Sequence, residues 1–266
     1  MNDIPNLPPG SSDAATTFDF HDGKGPVPAH RHVNGGGWVA DTAHVADAAY
    51  VGPNAWVSGN AWVYGNARVS GNARVSGNAR VYGNARVSGN ARVYGNAWVY
   101  GDARVSGNAR VSGNARVYGN AWVYGDARVS GNARVSGNAW VYGNARVSGN
   151  AWVSGNARVS GNARVYGNAR VYGNAWVYGN ARVSGNAWVY GDAKIKRSSD
   201  YLVIGPMGSR EAFMTWTRSD NCIATGCFRG TVDEFLSAVS ETHGNNQHAM
   251  AYRAAVALLR VLGDLT

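Results

Sequence analysis

Cysteine, phenylalanine and methionine are scarce in this chain, and it has no long hydrophobic run. The 266 residues include 2 Cys, 5 Phe, 4 Met and 7 Pro. Two cysteines exclude a disulfide scaffold, and without about 18 consecutive apolar residues no transmembrane helix or membrane insertion is expected. Residues 1–10 lack the basic start and apolar stretch of a secretory signal. These absences favour a cytoplasmic protein whose core is not built from the usual large side chains.

Glycine, tryptophan, tyrosine and basic residues are abundant instead. The chain contains 36 Gly, 10 Trp and 14 Tyr. Its 25 Lys and Arg outnumber 16 Asp and Glu, which gives a formal net charge of +9. Glycine is nearly double its usual share of about 7%. Such a composition calls for a search for internal repeats.

A six-residue repeat explains the composition. From Trp38 to Lys196 the chain reads Gly-Asn-Ala-x-Val-y, where x is mostly Arg or Trp and y is mostly Ser or Tyr. Its aliphatic residue recurs from Val39 to Ile195 through 27 hexads without an insertion. A period of six does not keep one residue on one helical face, so Ala-x-Val-y predicts a short strand with Ala and Val facing inward. Gly-Asn predicts the corner, because both residues tolerate left-handed backbone conformations.

The repeat resembles the hexapeptide-repeat, left-handed parallel β-helix family. That family's motif, an aliphatic residue, three variable residues and a small residue, is matched by Val-Ser-Gly-Asn-Ala-Arg. The resemblance implies three hexads per triangular coil, hence about nine coils and a rod of about 43 Å at ~4.8 Å per coil. It also implies a homo-oligomer, commonly a trimer. The chain departs from the family in placing Ser or Tyr after the aliphatic residue, where a small or acidic residue is frequent.

Residues 18 apart then stack, which sorts the outward side chains into three faces. The first face begins with Trp38 and Trp56 and continues as seven consecutive arginines, here called the arginine column: Arg74, Arg92, Arg110, Arg128, Arg146, Arg164 and Arg182. The second face contains every eighteenth residue from His44 to Trp188, and the third contains every eighteenth residue from Arg68 to Trp176. Both mix arginine with aromatic residues, and six tryptophans form a candidate aromatic interface: Trp62, Trp98, Trp122, Trp140, Trp176 and Trp188.

The basic charge belongs to the repeats. Residues 37–196 carry a net charge of +12 and the remainder carries −3. Arginines stacked about 5 Å apart repel by up to ~1 kcal/mol per pair in water, and a polyanion along the column relieves this. Nucleic acid is the commonest polyanion, and neighbouring aromatic rings are suited to stacking on bases or sugars. The alternative is that Arg and Tyr are solvated strand residues joined by cation–π contacts, with no ligand.

Catalysis is not indicated. Many members of the hexapeptide-repeat family are acyltransferases, which use a His general base and loops that leave the coil. Here no loop interrupts the hexads, and His44 is the only His among them. Asp102, Asp126 and Asp192 replace corner asparagines and share their turn chemistry. We therefore expect no catalytic residue and no cofactor, with acyl transfer retained only as an analogy of fold.

The two ends differ from the repeats. Residues 1–36, rich in Pro, Gly and Asp, are predicted to be an irregular leader or cap over the first coil. Four leader residues that could bind a metal match no known ligand spacing, so no metal site is predicted; they are His21, Asp22, His30 and His32. Residues 197–266 are predicted to form a small α+β domain, which makes the chain mainly β overall.

Within that C-terminal domain the pattern predicts three strands and two helices. The strands are placed at 201–204, 212–218 and 222–228, the last two as a hairpin. Thr231 to Glu234 forms a capping box that opens a helix ending at His243, and a second helix covers 247–262. Cys222 and Cys227 are expected on one strand, on opposite faces and unpaired.

The loop 205–210 is a candidate phosphate cradle, because glycines, a hydroxyl and an arginine follow a strand. Ser209, Arg210 and Arg229 are the candidate ligand residues, and an ordinary turn is the alternative. The leader, residues 226–235 and residues 241–244 resemble uncharacterised hexapeptide-repeat proteins of phages and prophages. Two functions follow from the sequence: a non-enzymatic scaffold that self-assembles and binds a polyanionic or large partner, or capture of a small anion such as a nucleotide signal.

Overall fold

The computed structural model describes residues 16–263, so the prediction for residues 1–10 lies outside the described range. Most of the described residues form a β-solenoid of about nine turns. Each hexad contributes a strand made of the x residue and the aliphatic residue that follows it. The predicted four-residue strand Ala-x-Val-y is therefore shortened to its central pair, x and Val, because the chain turns a corner between successive pairs.

The strands of the solenoid fall into three parallel stacks, one for each predicted face. The first face contains β3 (Trp38–Ala40), β6 (Trp56–Val57), β9 (Arg74–Val75), β12 (Arg92–Val93), β15 (Arg110–Val111), β18 (Arg128–Val129), β21 (Arg146–Val147), β24 (Arg164–Val165) and β27 (Arg182–Val183). The second contains β4 (His44–Val45), β7 (Trp62–Val63), β10 (Arg80–Val81), β13 (Trp98–Val99), β16 (Arg116–Val117), β19 (Arg134–Val135), β22 (Trp152–Val153), β25 (Arg170–Val171) and β28 (Trp188–Val189). The third contains β5 (Tyr50–Val51), β8 (Arg68–Val69), β11 (Arg86–Val87), β14 (Arg104–Val105), β17 (Trp122–Val123), β20 (Trp140–Val141), β23 (Arg158–Val159), β26 (Trp176–Val177) and β29 (Lys194–Ile195).

Neighbouring strands in each stack are 18 residues apart and in register. Arg110 pairs with Arg128, for example, and Val111 with Val129. This confirms three hexads per turn and the sorting into three faces. The handedness of the coil stays a prediction.

Alanine and one aliphatic residue per hexad fill the core. Every such residue from Ala49 to Ile195 is fully buried, at 0% exposure. Stacked parallel strands that meet at three corners leave only a narrow interior, which these small side chains fill. The prediction that Ala and Val face inward is confirmed.

Glycine turns the corners. Its φ lies between +61° and +74° at every corner from Gly59 to Gly191, in the region that residues with a Cβ rarely adopt. The corner asparagines do not share this conformation. They form ladders in which the side-chain amide donates to the Oδ1 of the residue 18 positions on, as between Asn132 and Asn150 at 3.0 Å.

The N-terminal residues of the described range cover the first face. β1 (Thr17–Phe18) and β2 (Val27–Arg31) form an antiparallel pair, and β2 pairs antiparallel with β3. Phe18 stacks on Trp38 with ring centroids 4.5 Å apart and meets Trp56 edge-on at 5.1 Å. Residues 17–31 thereby cover one open edge of the first coil, as a cap does.

The C-terminal segment, here called the C-terminal module, is an antiparallel sheet with two helices. After a 3₁₀ turn at Ser198–Asp200, the strands are β30 (Tyr201–Met207), β31 (Ala212–Thr217), β32 (Cys222–Thr225) and β33 (Phe228–Thr231). They are followed by α1 (Val232–His243) and α2 (Gln247–Gly263). Both halves of the predicted capping box, Thr231 and Glu234, form their hydrogen bonds, and α1 ends at His243 as predicted, with Gly244 as its C-cap.

One predicted strand of the module was wrong. Instead of a single strand over 222–228, β32 ends at Thr225 and the chain reverses at Gly226, where φ is +54°. A fourth strand, β33, then begins at Phe228. Cys222 therefore lies in β32 and Cys227 lies in the turn that follows it, so the two do not share a strand, and both are free thiols.

Candidate functional site

The parallel stack of the first face lines up the arginine column. Each of its seven arginines is paired in register with the next, from Arg74 to Arg182. The last six side chains are exposed and Arg74 is partly buried. With strands about 4.8 Å apart, the column presents one arginine per turn along the first face.

The arginine column lacks acidic partners. Among residues 16–263, no carboxylate lies within ion-pair distance of any of its seven guanidinium groups. Six of the eight arginines of the other two faces stack on rings, among them Arg68 on Tyr50 at 4.4 Å, Arg104 on Trp122 at 4.6 Å and Arg170 on Trp188 at 4.9 Å. In the column only Arg74 does so, 4.1 Å from the centroid of Trp56. The other six keep their charge exposed.

Two shallow depressions lie along the column. One of 210 Å³ lies beside Arg74, Arg92 and Tyr94, and one of 270 Å³ lies beside Arg164 and Tyr166. Both tyrosines are 39% exposed. The first depression also contains Asp22, which lies at the N-terminal end of the column.

Electrostatics within the column are repulsive. Partial burial, and secondly the charge of Arg92, lower the pKa of Arg74 from its ordinary value. Arginine nevertheless stays protonated at neutral pH. The column is therefore a row of permanent positive charges, and binding an anion there removes repulsion as well as adding attraction.

The aromatic residues stack along the other two faces. Tyr64, Tyr82, Tyr100 and Tyr118 form a continuous parallel stack on the second face, with centroids 4.8 to 5.0 Å apart. On the third face Trp122 stacks on Trp140 at 5.4 Å. The six tryptophans of the candidate aromatic interface therefore do not form one surface: three lie on each face. Of these six, only Trp62 is strongly exposed, at 44%.

Overlapping segments of the repeats match the family model described as the YdcK Beta solenoid repeat. They are residues 61–77, 67–83, 73–89, 85–101, 97–112, 103–115, 109–125, 127–143, 139–155, 163–179 and 175–191. The part of the chain that these matches cover, within residues 61–191, is a repeat β-solenoid. No curated protein matches the chain. In the described range, no helix is long and apolar enough to cross a membrane.

The C-terminal module closes the end of the β-solenoid. Within the solenoid, backbone N–H groups donate to carbonyls of the following turn, as Arg164 does to Ala181 at 2.9 Å. After the last turn, side-chain hydroxyls of the module accept instead: Ser198 from Arg182 (3.3 Å), Tyr201 from Ser184 (3.2 Å), Thr215 from Trp188 (2.9 Å) and Ser219 from Lys194 (2.7 Å). Sequence reasoning missed these four residues, because single hydroxyls have no distinguishing pattern.

The three candidate ligand residues of the module are not brought together. Ser209 and Arg210 lie in the turn between β30 and β31, at a cavity of 410 Å³. Arg229 instead packs on the solenoid, where its guanidinium group lies 4.7 Å from the Tyr190 centroid and 5.5 Å from that of Trp188. It also donates a hydrogen bond to the Tyr172 hydroxyl. Arg229 and Trp188 are thus part of the contact between module and solenoid.

The remaining candidates have local structural partners. His44 is exposed and its ring lies 4.4 Å from that of Trp62. Asp102 and Asp126 accept hydrogen bonds at 3.0 Å from the asparagines 18 positions before them. Asp192 accepts one from Asn174 in the same way. Because a carboxylate has no N–H to donate, each Asp ends its ladder.

The four leader residues do not converge. His30 pairs with Asp41 at 2.8 Å, whereas the buried His32 bonds the carbonyl of Ala49 at 2.9 Å. His21 lies against Trp56, and Asp22 pairs with Lys24 at 3.9 Å. Over residues 16–263, no group of three or more His, Cys, Asp or Glu side chains is placed to hold a metal ion.

Proposed function

We propose that the protein is a non-catalytic scaffold whose arginine column binds a linear polyanion. The observation that carries the proposal is the contrast between the faces. Several arginines of the second and third faces stack on aromatic rings, whereas six of the seven in the column have neither a ring nor a carboxylate among the described residues. A charge so displayed is available to a ligand.

The regular spacing of the column favours an extended chain over a compact ligand. One cation per ~4.8 Å over seven turns suits a polymer that carries a negative charge on each repeating unit. Phosphate backbones are the commonest such polymers, and their affinity for cationic surfaces comes largely from counterion release. The exposed Tyr94 and Tyr166, one at each depression, offer rings against which bases or sugars can stack.

In this proposal the chain is organised into three parts, residues 1–36, 37–196 and 197–266. The first and last parts protect the ends of the solenoid, and the middle part binds. Self-association through the aromatic faces belongs to the same proposal, supported by the exposed ring of Trp62. The mass of the purified protein in solution, measured before and after nuclease treatment, tests for an oligomer and for bound nucleic acid together.

A matched pair of triple variants tests the column. Arg110, Arg128 and Arg146 are replaced by Gln in one variant, and Arg68, Arg86 and Arg104 of the third face in the other. Both lose the same formal charge, so a non-specific effect of net charge is equal in the two. We expect the column variant to lose at least about tenfold more affinity for single-stranded DNA or heparin than its partner. Equal losses would contradict a binding role for the column.

A further inference from the structure

Three segments singled out in the sequence meet at one cavity of the C-terminal module. The predicted loop 205–210 is shorter in the structure, because β30 continues to Met207, and the turn after it contributes Ser209 and Arg210. The turn after β32 contributes Cys227, and the end of α1 contributes Thr242 and His243. Their cavity of 410 Å³ lies between the sheet and the two helices. This volume falls in the range of roughly 300–1,000 Å³ that is typical of small-molecule sites.

The floor of the cavity is aromatic. Phe235 and Tyr252 are 3% and 8% exposed, and their rings meet edge to face with centroids 5.3 Å apart. The ring centroids of Phe228 and Phe235 are 5.2 Å apart. Such a floor favours a flat, apolar ligand body that stacks or makes edge contacts.

The turn at the mouth is packed directly on that floor. Gly208 has a φ of +73°, and a Cβ at this position would overlap the Tyr252 hydroxyl. Only glycine therefore allows the turn to lie this close, which holds the next two residues, Ser209 and Arg210, at the opening.

Arg210 supplies a positive charge at the mouth. Its side chain is exposed, and the hydrogen bond it makes there goes to the Cys227 sulfur at 3.4 Å, a weak acceptor. Within residues 16–263, no carboxylate lies at ion-pair distance from it. Ser209 and Thr242, whose side chains each carry a hydroxyl donor, line the same cavity.

We propose that this cavity binds a small planar aromatic molecule that carries one phosphate or carboxylate group. The ring lies against Phe228, Phe235 and Tyr252, and the anionic group meets Arg210 with the Ser209 hydroxyl. Nucleoside monophosphates and aryl carboxylates share this chemistry. The site excludes Arg229, which contacts the solenoid, and it does not depend on the arginine column.

The two cysteines provide a readout. Cys227 lines the cavity and is exposed, so a bound ligand slows its alkylation by iodoacetamide. Cys222 lies outside the cavity and is an internal reference. Burial, and then the nearby Asp220, raise the pKa of the Cys222 thiol to about 11, so little of this thiol is ionised at pH 8 and it reacts slowly. Alkylation rates of both are followed by mass spectrometry on the full chain.

The probes separate the ring from the charge. AMP, phenyl phosphate and benzoate are added at millimolar concentrations, at which ligands of this size are expected to saturate the site. Two controls each lack one feature: inorganic phosphate lacks the ring, and benzyl alcohol lacks the charge. We expect at least one aromatic anion to slow the alkylation of Cys227 alone, and the controls to protect about tenfold less strongly. Protection by phosphates but not benzoate assigns a phosphate site, and the reverse assigns a carboxylate site.

Two variants complete the test. Arg210→Gln removes the proposed anion partner, whereas Arg260→Gln removes an exposed arginine of the same module that does not line the cavity. Protection is compared with and without probe in each protein, so any change in the thiol's own reactivity cancels. We expect Arg210→Gln to weaken protection about tenfold, as for loss of a charge-assisted hydrogen bond, and Arg260→Gln to leave it unchanged. The proposal is overturned if no aromatic anion protects Cys227, or if the two variants behave alike.

Discussion

Replacing a corner glycine by alanine probes how closely the turns of the solenoid stack. At Gly131, φ is +67° and a Cβ would lie 3.0 Å from the backbone N of Gly149 and 3.1 Å from its O. Gly185, in the last turn, has nearly the same φ of +65° but nothing within 4 Å of a Cβ. The two sites therefore share the conformational penalty and differ in the contact with the next turn.

The magnitudes follow from these two terms. An L-residue in the left-handed region costs about 1–2 kcal/mol, and the stiffer unfolded chain returns about 0.4–1 kcal/mol. Gly185→Ala should thus lower the free energy of unfolding by about 1 kcal/mol. Gly131→Ala must also displace backbone atoms, and crowding of this kind typically costs a further 1–3 kcal/mol. For a chain of this size each kcal/mol lowers the melting temperature by about 2–4 °C.

Thermal unfolding of both variants, followed by circular dichroism at one protein concentration, measures the difference. We expect Gly131→Ala to melt clearly below Gly185→Ala, and both to melt below the wild type. Equal melting temperatures would refute the argument that direct contact between successive corners selects glycine. A lower melting temperature for Gly185→Ala would refute it more strongly.

Three further predictions concern the contact between the C-terminal module and the last turn, the asparagine ladders and the tyrosine stack. Thr215→Val should lower the free energy of unfolding by about 1–3 kcal/mol, because the Trp188 N–H loses its 2.9 Å acceptor; urea unfolding checks this. Asp102→Asn should raise the urea midpoint slightly, because an amide can donate to Asn120 and continue the ladder, and a lowered midpoint would contradict this. Burial raises the pKa of Tyr82 above 10.0, so its contribution to stability is present below pH 10 and is lost as pH rises through the folded pKa. Phenolate absorbance should therefore appear at higher pH in the native than in the urea-unfolded protein.

The solenoid could be predicted in detail because one period determines it. An uninterrupted six-residue repeat fixes which residues face inward, and three hexads per turn then place residues 18 apart in one column. The pairing of Arg110 with Arg128 follows from those two facts alone. The separate roles of Gly and Asn did not follow, because both types tolerate the same turn conformation and only packing between turns distinguishes them.

The ends of the solenoid could not be predicted in the same way. The acceptors that close the last turn, such as Thr215 and Tyr201, come from a segment with no repeat, and their partners are backbone groups that carry no sequence signal. The turn at Gly226 was missed because a strand from 222 to 228 has an acceptable hydrophobic pattern. That turn shapes the candidate cavity, since it brings Cys227 beside Arg210, whereas Arg229 in β33 lies against the solenoid.

The salt dependence of polyanion binding shows whether the arginine column is the binding surface. If seven arginines of the column each neutralise one phosphate of duplex DNA, the logarithm of the binding constant should fall with the logarithm of salt concentration with a slope near −6. Replacing Arg110, Arg128 and Arg146 by Gln should make the slope shallower by about 3, and the matched change on the third face should leave it nearly unaltered. A binding constant that does not change with salt, or a slope that the column variant retains, would contradict polyanion binding by the arginine column.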